Sequence, residues 1–130
     1  MYKVTIADVA ELTEEVLKVE FDSTTPSNSD ARSSSIEATI TIVGRVSYDS
    51  DKPFMKDSTK AIAAWSMVKP DSADTYKTVS VAFDHTGLTR TYELSHAFVV
   101  SFHEHFEDQN GHFVLVVRQK KDRLDGVSVE

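Results

Sequence analysis

The chain has 130 residues, enough for one domain that buries a core without disulfides or a structural metal. It has no cysteine, which excludes disulfide bonds, thiolate ligands and a cysteine nucleophile. Its formal net charge of -7 at pH 7 makes free nucleic acid and anionic membranes poor partners, because both require clustered cations. No signal-like segment opens the chain, and no apolar run approaches the ~20 residues of a membrane-spanning helix. We expect one domain over residues 1–130, made in the cytoplasm.

Alternation of apolar and polar side chains with a period of two dominates the chain and predicts strands. The strand predicted over Ile36 to Val46 has one apolar face and one Thr-rich face. Shorter strands of the same kind follow from four further sets: Val4 and Ile6; Leu17, Val19 and Phe21; Val79, Val81 and Phe83; Leu88, Tyr92 and Leu94. His85, Thr86 and Gly87 form a short hairpin connection between the last two.

Two later segments have apolar residues on both faces. They are Ala97 to Phe106, which reads AFVVSFHEHF, and Phe113 to Val117, which reads FVLVV, with a turn at Asp108 to Gly111. Strands of this composition are normally covered on both sides.

One segment, Asp57 to Val68, has helical periodicity instead. Ala61, Ile62, Trp65 and Val68 fall on one stripe bordered by Ala64, Asp57 is a candidate N-cap, and Pro70 marks the end. We expect one short amphipathic helix that covers a sheet or closes the end of a barrel.

The sequence contains no recognisable catalytic motif. There is no G-x-S-x-G turn and no Gly-rich phosphate loop, so we expect no enzyme and no cofactor. His103 and His105 would share one face of a strand, and His112 could join them across a hairpin, but the spacing matches no known zinc motif. The basic residues from Arg118 to Arg123 form a weak phosphate-binding signal in an acidic chain.

The balance of apolar faces predicts self-association. One short helix cannot cover the second face of both two-sided strands, so Val99, Val114 and Val116 would be exposed on a monomer. Exposed apolar patches of this kind usually mark interfaces, and closed rings of identical subunits are a common result.

The C-terminal half also resembles a known family. The segment Tyr92 to Phe102, YELSHAFVVSF, and the order of elements from Ser35 to Val129 are similar to tube-forming subunits of contractile machines. These are the haemolysin-coregulated protein (Hcp) of type VI secretion, phage tail-tube proteins and clostridial, prophage-like relatives. The resemblance implies an antiparallel β-barrel of two packed sheets with one short flanking α-helix.

The resemblance also implies a function. It implies homohexameric rings that stack into a tube within a virion-like or secreted apparatus, with sheath and baseplate proteins as further partners. The loop Ser47 to Lys56 would reach a neighbouring ring through Tyr48, Phe54 and Met55. The family carries no catalytic residues.

Two other functions stay open at this point. A small binding module would be a monomer or dimer that holds a ligand or protein, with an enclosed pocket lined by Phe83, Tyr92 or Phe102. A metal-assisted enzyme would need His103, His105 and His112 to converge on one point.

Overall fold

The computed structural model describes residues 1–25, 36–47, 58–108 and 110–130. Within them, the chain is mostly antiparallel β-sheet with one short α-helix, which confirms the expected fold class at this level. The elements are β1 (Tyr2–Ile6), β2 (Ala10–Leu12), β3 (Val16–Thr24), β4 (Glu37–Ser47), α1 (Ser58–Ser66), β5 (Lys77–His85), β6 (Leu88–Glu107), β7 (Asn110–Gln119), a 3₁₀ turn (Leu124–Gly126) and β8 (Val127–Val129).

The strands are hydrogen-bonded in the order β2-β1-β5-β6-β7-β4-β3, with β8 joined to β6. β2 and β3 stand at the two ends of this order, so the hydrogen-bonded sheet is open in the part of the chain that is described. The sheet nevertheless curls. Its curl brings β3 close to the start of β6, where Phe21 stacks on Tyr92 with ring centroids 4.4 Å apart.

The predicted hairpin between β5 and β6 is present. Thr86 and Gly87 lie between the strands with φ of 47° and 86°, the left-handed values that a two-residue hairpin turn requires. Glycine adopts this conformation without a steric penalty, so Gly87 accounts for the turn.

The strand β6 differs from its prediction. Leu88–Leu94 and Ala97–Phe106 were predicted as separate strands, but both belong to one strand of 20 residues. The register shifts between the partners of Leu94 and Ala97 and again between Val99 and Ser101. Bulges of this kind bend a strand, so β6 pairs with β5 before the bend and with β7 after it.

The core lies on one side of the curled sheet. Ile40 and Ile42 of β4 and Phe113, Leu115 and Val117 of β7 are fully buried there. The helix lies on the same side, since Ile62 and Trp65 belong to the core. The helix therefore covers the core-facing side of the sheet and leaves its second face open. Ala61 and Ala64, which were assigned to its apolar stripe, are exposed, and Asp57 lies outside the described residues.

Candidate assembly surface

Apart from the outer edges of the three-residue strands β2 and β8, two strand edges have no backbone partner among the described residues. β3 pairs only with β4. Ala97 pairs with β5 on one side and with β7 on the other, but residues 98–107 of β6 pair with β7 alone. The side of β6 that β5 occupies therefore has no strand paired to it beyond Ala97 in the part of the chain that is described, and we call this side a vacant edge. Unpaired edges of this length are templates for pairing with another chain.

Both edges belong to one four-stranded unit, which we call the edge sheet: β3, β4, β7 and residues 98–107 of β6. Neighbouring strands run antiparallel throughout. Because the number of strands is even, β6 of one copy and β3 of the next would also run antiparallel. Head-to-tail repetition would thus continue the ladder without a change of direction.

The face of the edge sheet that points away from the core, here the outer face, is polar with a small apolar centre. Cross-strand rows place Lys18, Val43, Val114 and His103 side by side, and Glu20, Thr41, Val116 and Ser101 in the next row. Val43, Val114 and Val116 are half-buried. They form the apolar centre, with charged residues toward both edges.

The structure separates the residues proposed for the interface. Val114 and Val116 lie on the outer face, as the alternation predicts. Val99 does not: it pairs with the buried Val117 and packs against the core, because the bulge after it changes the alternation of β6. Val100, within the bulge, is 41% exposed instead. Tyr48, Phe54 and Met55 lie outside the described residues.

The β3 edge carries a strong local ion pair. Lys18 Nζ lies 2.6 Å from Glu20 Oε1. The hydrogen bond with Glu20, helped by the Coulomb attraction of the same carboxylate, raises the pKa of Lys18 above its ordinary value. Both side chains of this pair remain exposed on the β3 edge.

The histidines of the β6–β7 hairpin share the outer face without converging. His105 stands directly opposite His112, while His103 stands opposite Val114. His105 Nε2 lies 3.0 Å from Glu107 Oε1. Over the described residues no three His, Asp or Glu side chains form a metal-binding group. The proposed convergence of His103, His105 and His112 on one metal is therefore absent from this arrangement.

An aromatic cleft of about 290 Å³ opens between the curled ends of the sheet. Tyr2 and Phe83 form one wall with ring centroids 5.3 Å apart, and the stacked Phe21 and Tyr92 form the other. Arg90 stands at its rim, with Nη1 3.5 Å from Tyr92 Oη. Phe83 and Tyr92 thus line an open cleft rather than the enclosed pocket expected of a binding module, whereas Phe102 packs toward Phe113 in the core.

A second cleft, of about 350 Å³, lies where the helix meets the start of the vacant β6 edge, and Trp65, Tyr76 and Phe98 line it. Trp65 donates its indole N–H to the Thr75 carbonyl at 3.1 Å. Lys120 Nζ lies 5.1 Å from the centre of the Tyr76 ring and 3.7 Å from Asp122. This cation of the basic run is therefore engaged within the chain.

One serine–histidine contact was not anticipated. Ser95 Oγ lies 2.8 Å from His96 Nδ1, but the Gln119 amide donates to the same oxygen at 3.0 Å. Gly126 packs so closely that a Cβ there would lie 1.8 Å from Ser95 Oγ. The serine is therefore part of a packed network that holds the C-terminal segment.

Sequence reasoning missed the two vacant edges and the charged side chains along them. Lys18, Glu20 and Asp22 read as ordinary polar positions of a strand, and the alternation of β3 does show that they share one face. Nothing in the alternation shows that this face adjoins a vacant edge. Arg90 was missed for a similar reason, since its approach to the aromatic cleft depends on the curl of the sheet.

Neither a scan against family models nor a search of curated proteins finds a relative of this chain. No family model matches the chain. No curated protein shows significant similarity to it. Within the described part of the chain, no helix is long and apolar enough to cross a membrane.

Proposed function

We propose that this protein is a structural subunit that assembles with copies of itself into a ring or tube, as in a contractile phage tail or a type VI secretion apparatus. The observation that carries the proposal is the edge sheet with two vacant edges and an even number of strands. Head-to-tail pairing would place β6 of each copy against β3 of the next. Such heterologous contacts form closed rings when the rotation between copies closes.

The two sides of the edge sheet support this arrangement. The helix and the remaining strands lie on its core side, so a ring of edge sheets would carry them on its periphery. The outer face would then line the interior, with Thr39, Thr41, Arg45 and Arg118 among its polar groups. A polar lining suits a water-filled channel, and closure into a β-barrel of several copies would remove the vacant edges. In this proposal the barrel is completed by several subunits rather than by one.

A proline at Glu104 tests the edge pairing. In a strand, alternate residues direct their N–H groups to opposite sides. Strand β8 pairs with β6 on the side opposite β5, which is the side that β7 occupies further along the strand. Thr91, on the outer face of β6, exchanges both backbone hydrogen bonds with Glu130, which directly follows β8. Core-facing residues of β6, such as Glu104, therefore direct their N–H to the vacant side. We expect Glu104→Pro to keep the subunit folded and to abolish oligomers in size-exclusion chromatography with light scattering.

The matched control is His103→Pro. Its N–H points toward β7, so this variant loses a ladder bond within the subunit and should lower the melting temperature more than Glu104→Pro does. Wild-type protein that remains monomeric at high concentration, without rings by electron microscopy, would contradict the proposed function.

The aromatic cleft supports a second candidate function, a small binding module without catalysis. Its walls are aromatic and Arg90 supplies one cation, which suits a small planar ligand with a negative charge. A panel of aryl carboxylates, observed by NMR shifts of Tyr92 and Phe83, tests this function. Binding that persists in monomeric Glu104→Pro and weakens in Arg90→Gln would favour it.

A further inference from the structure

The two vacant edges carry complementary charges along the outer face. On β6 the outer-face residues near the edge are Ser101, His103, His105 and Glu107; on β3 they are Lys18, Glu20, Asp22 and Thr24. In antiparallel pairing, one list meets the other in reverse direction. The register between two copies then decides which side chains stand opposite each other.

The register is described by a displacement, the number of residues by which β3 of one copy is shifted along β6 of the next, counted from continuous cross-strand rows. Only even displacements are compatible with the fold, since an odd displacement would turn the apolar side chains to the wrong face. With no displacement, the rows within one copy continue across the junction and put Lys18 opposite His103. A displacement of two residues puts Lys18 opposite His105. A displacement of six puts Glu20 opposite Glu107.

A displacement of four residues places every charged side chain of the outer face opposite a group of opposite charge or a complementary group. In this register Asp22 of one copy, rather than Lys18, stands opposite His103 of the next copy. The resulting pairs are Glu107 with Lys18, His105 with Glu20, His103 with Asp22 and Ser101 with Thr24. On the core-facing side the same register brings Phe106 beside Val19.

We infer that copies of this chain join in this register, with Lys18, Glu20 and Asp22 of one copy opposite Glu107, His105 and His103 of the next. The inference rests on the proposed self-assembly and specifies its contacts. Each copy contributes four strands, so a displacement of four residues per copy amounts to a barrel shear of one residue per strand. An eight-stranded barrel with a shear of 8 has the same ratio and a strand tilt of about 36°. The register selected by charge is therefore also one that can close.

The histidines give the junction a pH dependence. Histidine is the side chain that gains charge between pH 8 and pH 5, and here the two imidazoles face carboxylates across the junction. The other titratable groups around them are Glu107 on β6, His112 on β7, Arg45 on β4 and Lys18 across the junction. We expect tighter assembly at pH 6 than at pH 8, with the difference reduced in His103→Gln/His105→Gln.

Charge reversal tests the register directly. In Lys18→Glu, glutamates meet at each junction, and in Glu107→Lys, lysines meet. We expect each variant alone to weaken association roughly fivefold per junction, as like charges opposite each other do. In an equal mixture, assemblies in which the two variants alternate have a Glu–Lys pair at every junction, so the mixture should recover the mass of the wild-type assembly in light scattering. Lys18→Glu mixed with Asp108→Lys, whose change lies beyond the end of β6, is the control and should not recover it.

The outcomes separate the two claims. Wild-type protein that forms no assembly at any pH overturns the proposed function and this register together. Wild-type rings with single variants that assemble normally, or with no recovery on mixing, overturn the register and leave the proposed function standing. Recovery that depends on mixing, together with tighter assembly at pH 6, supports both.

Discussion

At the scale of single residues, Gly44 shows how the core constrains the sequence. A Cβ at this position would lie 2.3 Å from Phe113 Cε1 and 2.8 Å from the carbonyl oxygen of Glu15. The Phe113 ring thus occupies the space that a side chain would take, and Phe113 itself is fully buried. The close approach explains a glycine inside a strand, where it otherwise weakens the structure.

We expect Gly44→Ala to lower the free energy of unfolding by about 1–3 kcal/mol, since the neighbouring carbonyl is backbone and cannot yield as a side chain could. Urea denaturation measures the change. Gly87→Asn is the matched control: it keeps a residue tolerant of positive φ, with nothing within 4 Å of the added Cβ. A stabilised Gly44→Ala would show that the Phe113 ring has freedom to move.

Gln119 is a buried polar residue that holds three backbone segments together. It accepts from the His96 N–H at 2.9 Å and donates to Ser95 Oγ at 3.0 Å and to the Arg123 carbonyl at 2.5 Å. It is 4% exposed. Its partners connect β6, the end of β7 and the turn that leads to β8.

We expect Gln119→Leu to destabilise the fold by about 1–3 kcal/mol, because the His96 N–H, Ser95 Oγ and the Arg123 carbonyl would all lose their partner in the buried Gln119 side chain. Amide exchange should rise at Thr91, which pairs with Glu130 beyond β8. Exchange at Val79, in the core of β5, serves as the internal control. Equal acceleration at both sites would mean that the network has no local role in holding β8.

At the scale of elements, β6 determines the architecture. Its bulges between Leu94 and Ala97 and after Val99 direct its two halves to different partners. The same change of partner leaves one side of residues 98–107 without a paired strand among the residues that the structure describes, and this is the edge that we propose for assembly. Period-two alternation predicted strand on both sides of the bulges, but it could not show one continuous strand, because a bulge interrupts the alternation as a turn does.

The edge strand β3 shows the same limit. Its alternation predicted Leu17, Val19 and Phe21 as one apolar face. Val19 and Phe21 do pack against the core, but Leu17 is 48% exposed because the register shifts between Val16 and Lys18. Val16 takes the buried position instead. The face of a strand is thus predictable except where an inserted residue reverses it.

At the scale of the whole molecule, assembly should be visible in thermal stability. Association that occurs only in the folded state raises the melting temperature with protein concentration by mass action. We expect such a rise for the wild-type protein and a concentration-independent value for Glu104→Pro, measured by scanning calorimetry. If the melting temperature of both proteins is independent of concentration, the vacant edges do not associate in solution.

The sequence by itself determined the secondary structure class, the helix around Ile62 and Trp65, the hairpin at Gly87 and the core-facing side of most strands. These properties follow from local periodicity and backbone preference, which neighbouring residues suffice to specify. The tertiary structure alone decided which strands are neighbours, where β6 changes partner and which edges are left vacant. Backbone hydrogen bonds are the same for every residue, so the choice of partner depends on packing between segments far apart in the chain.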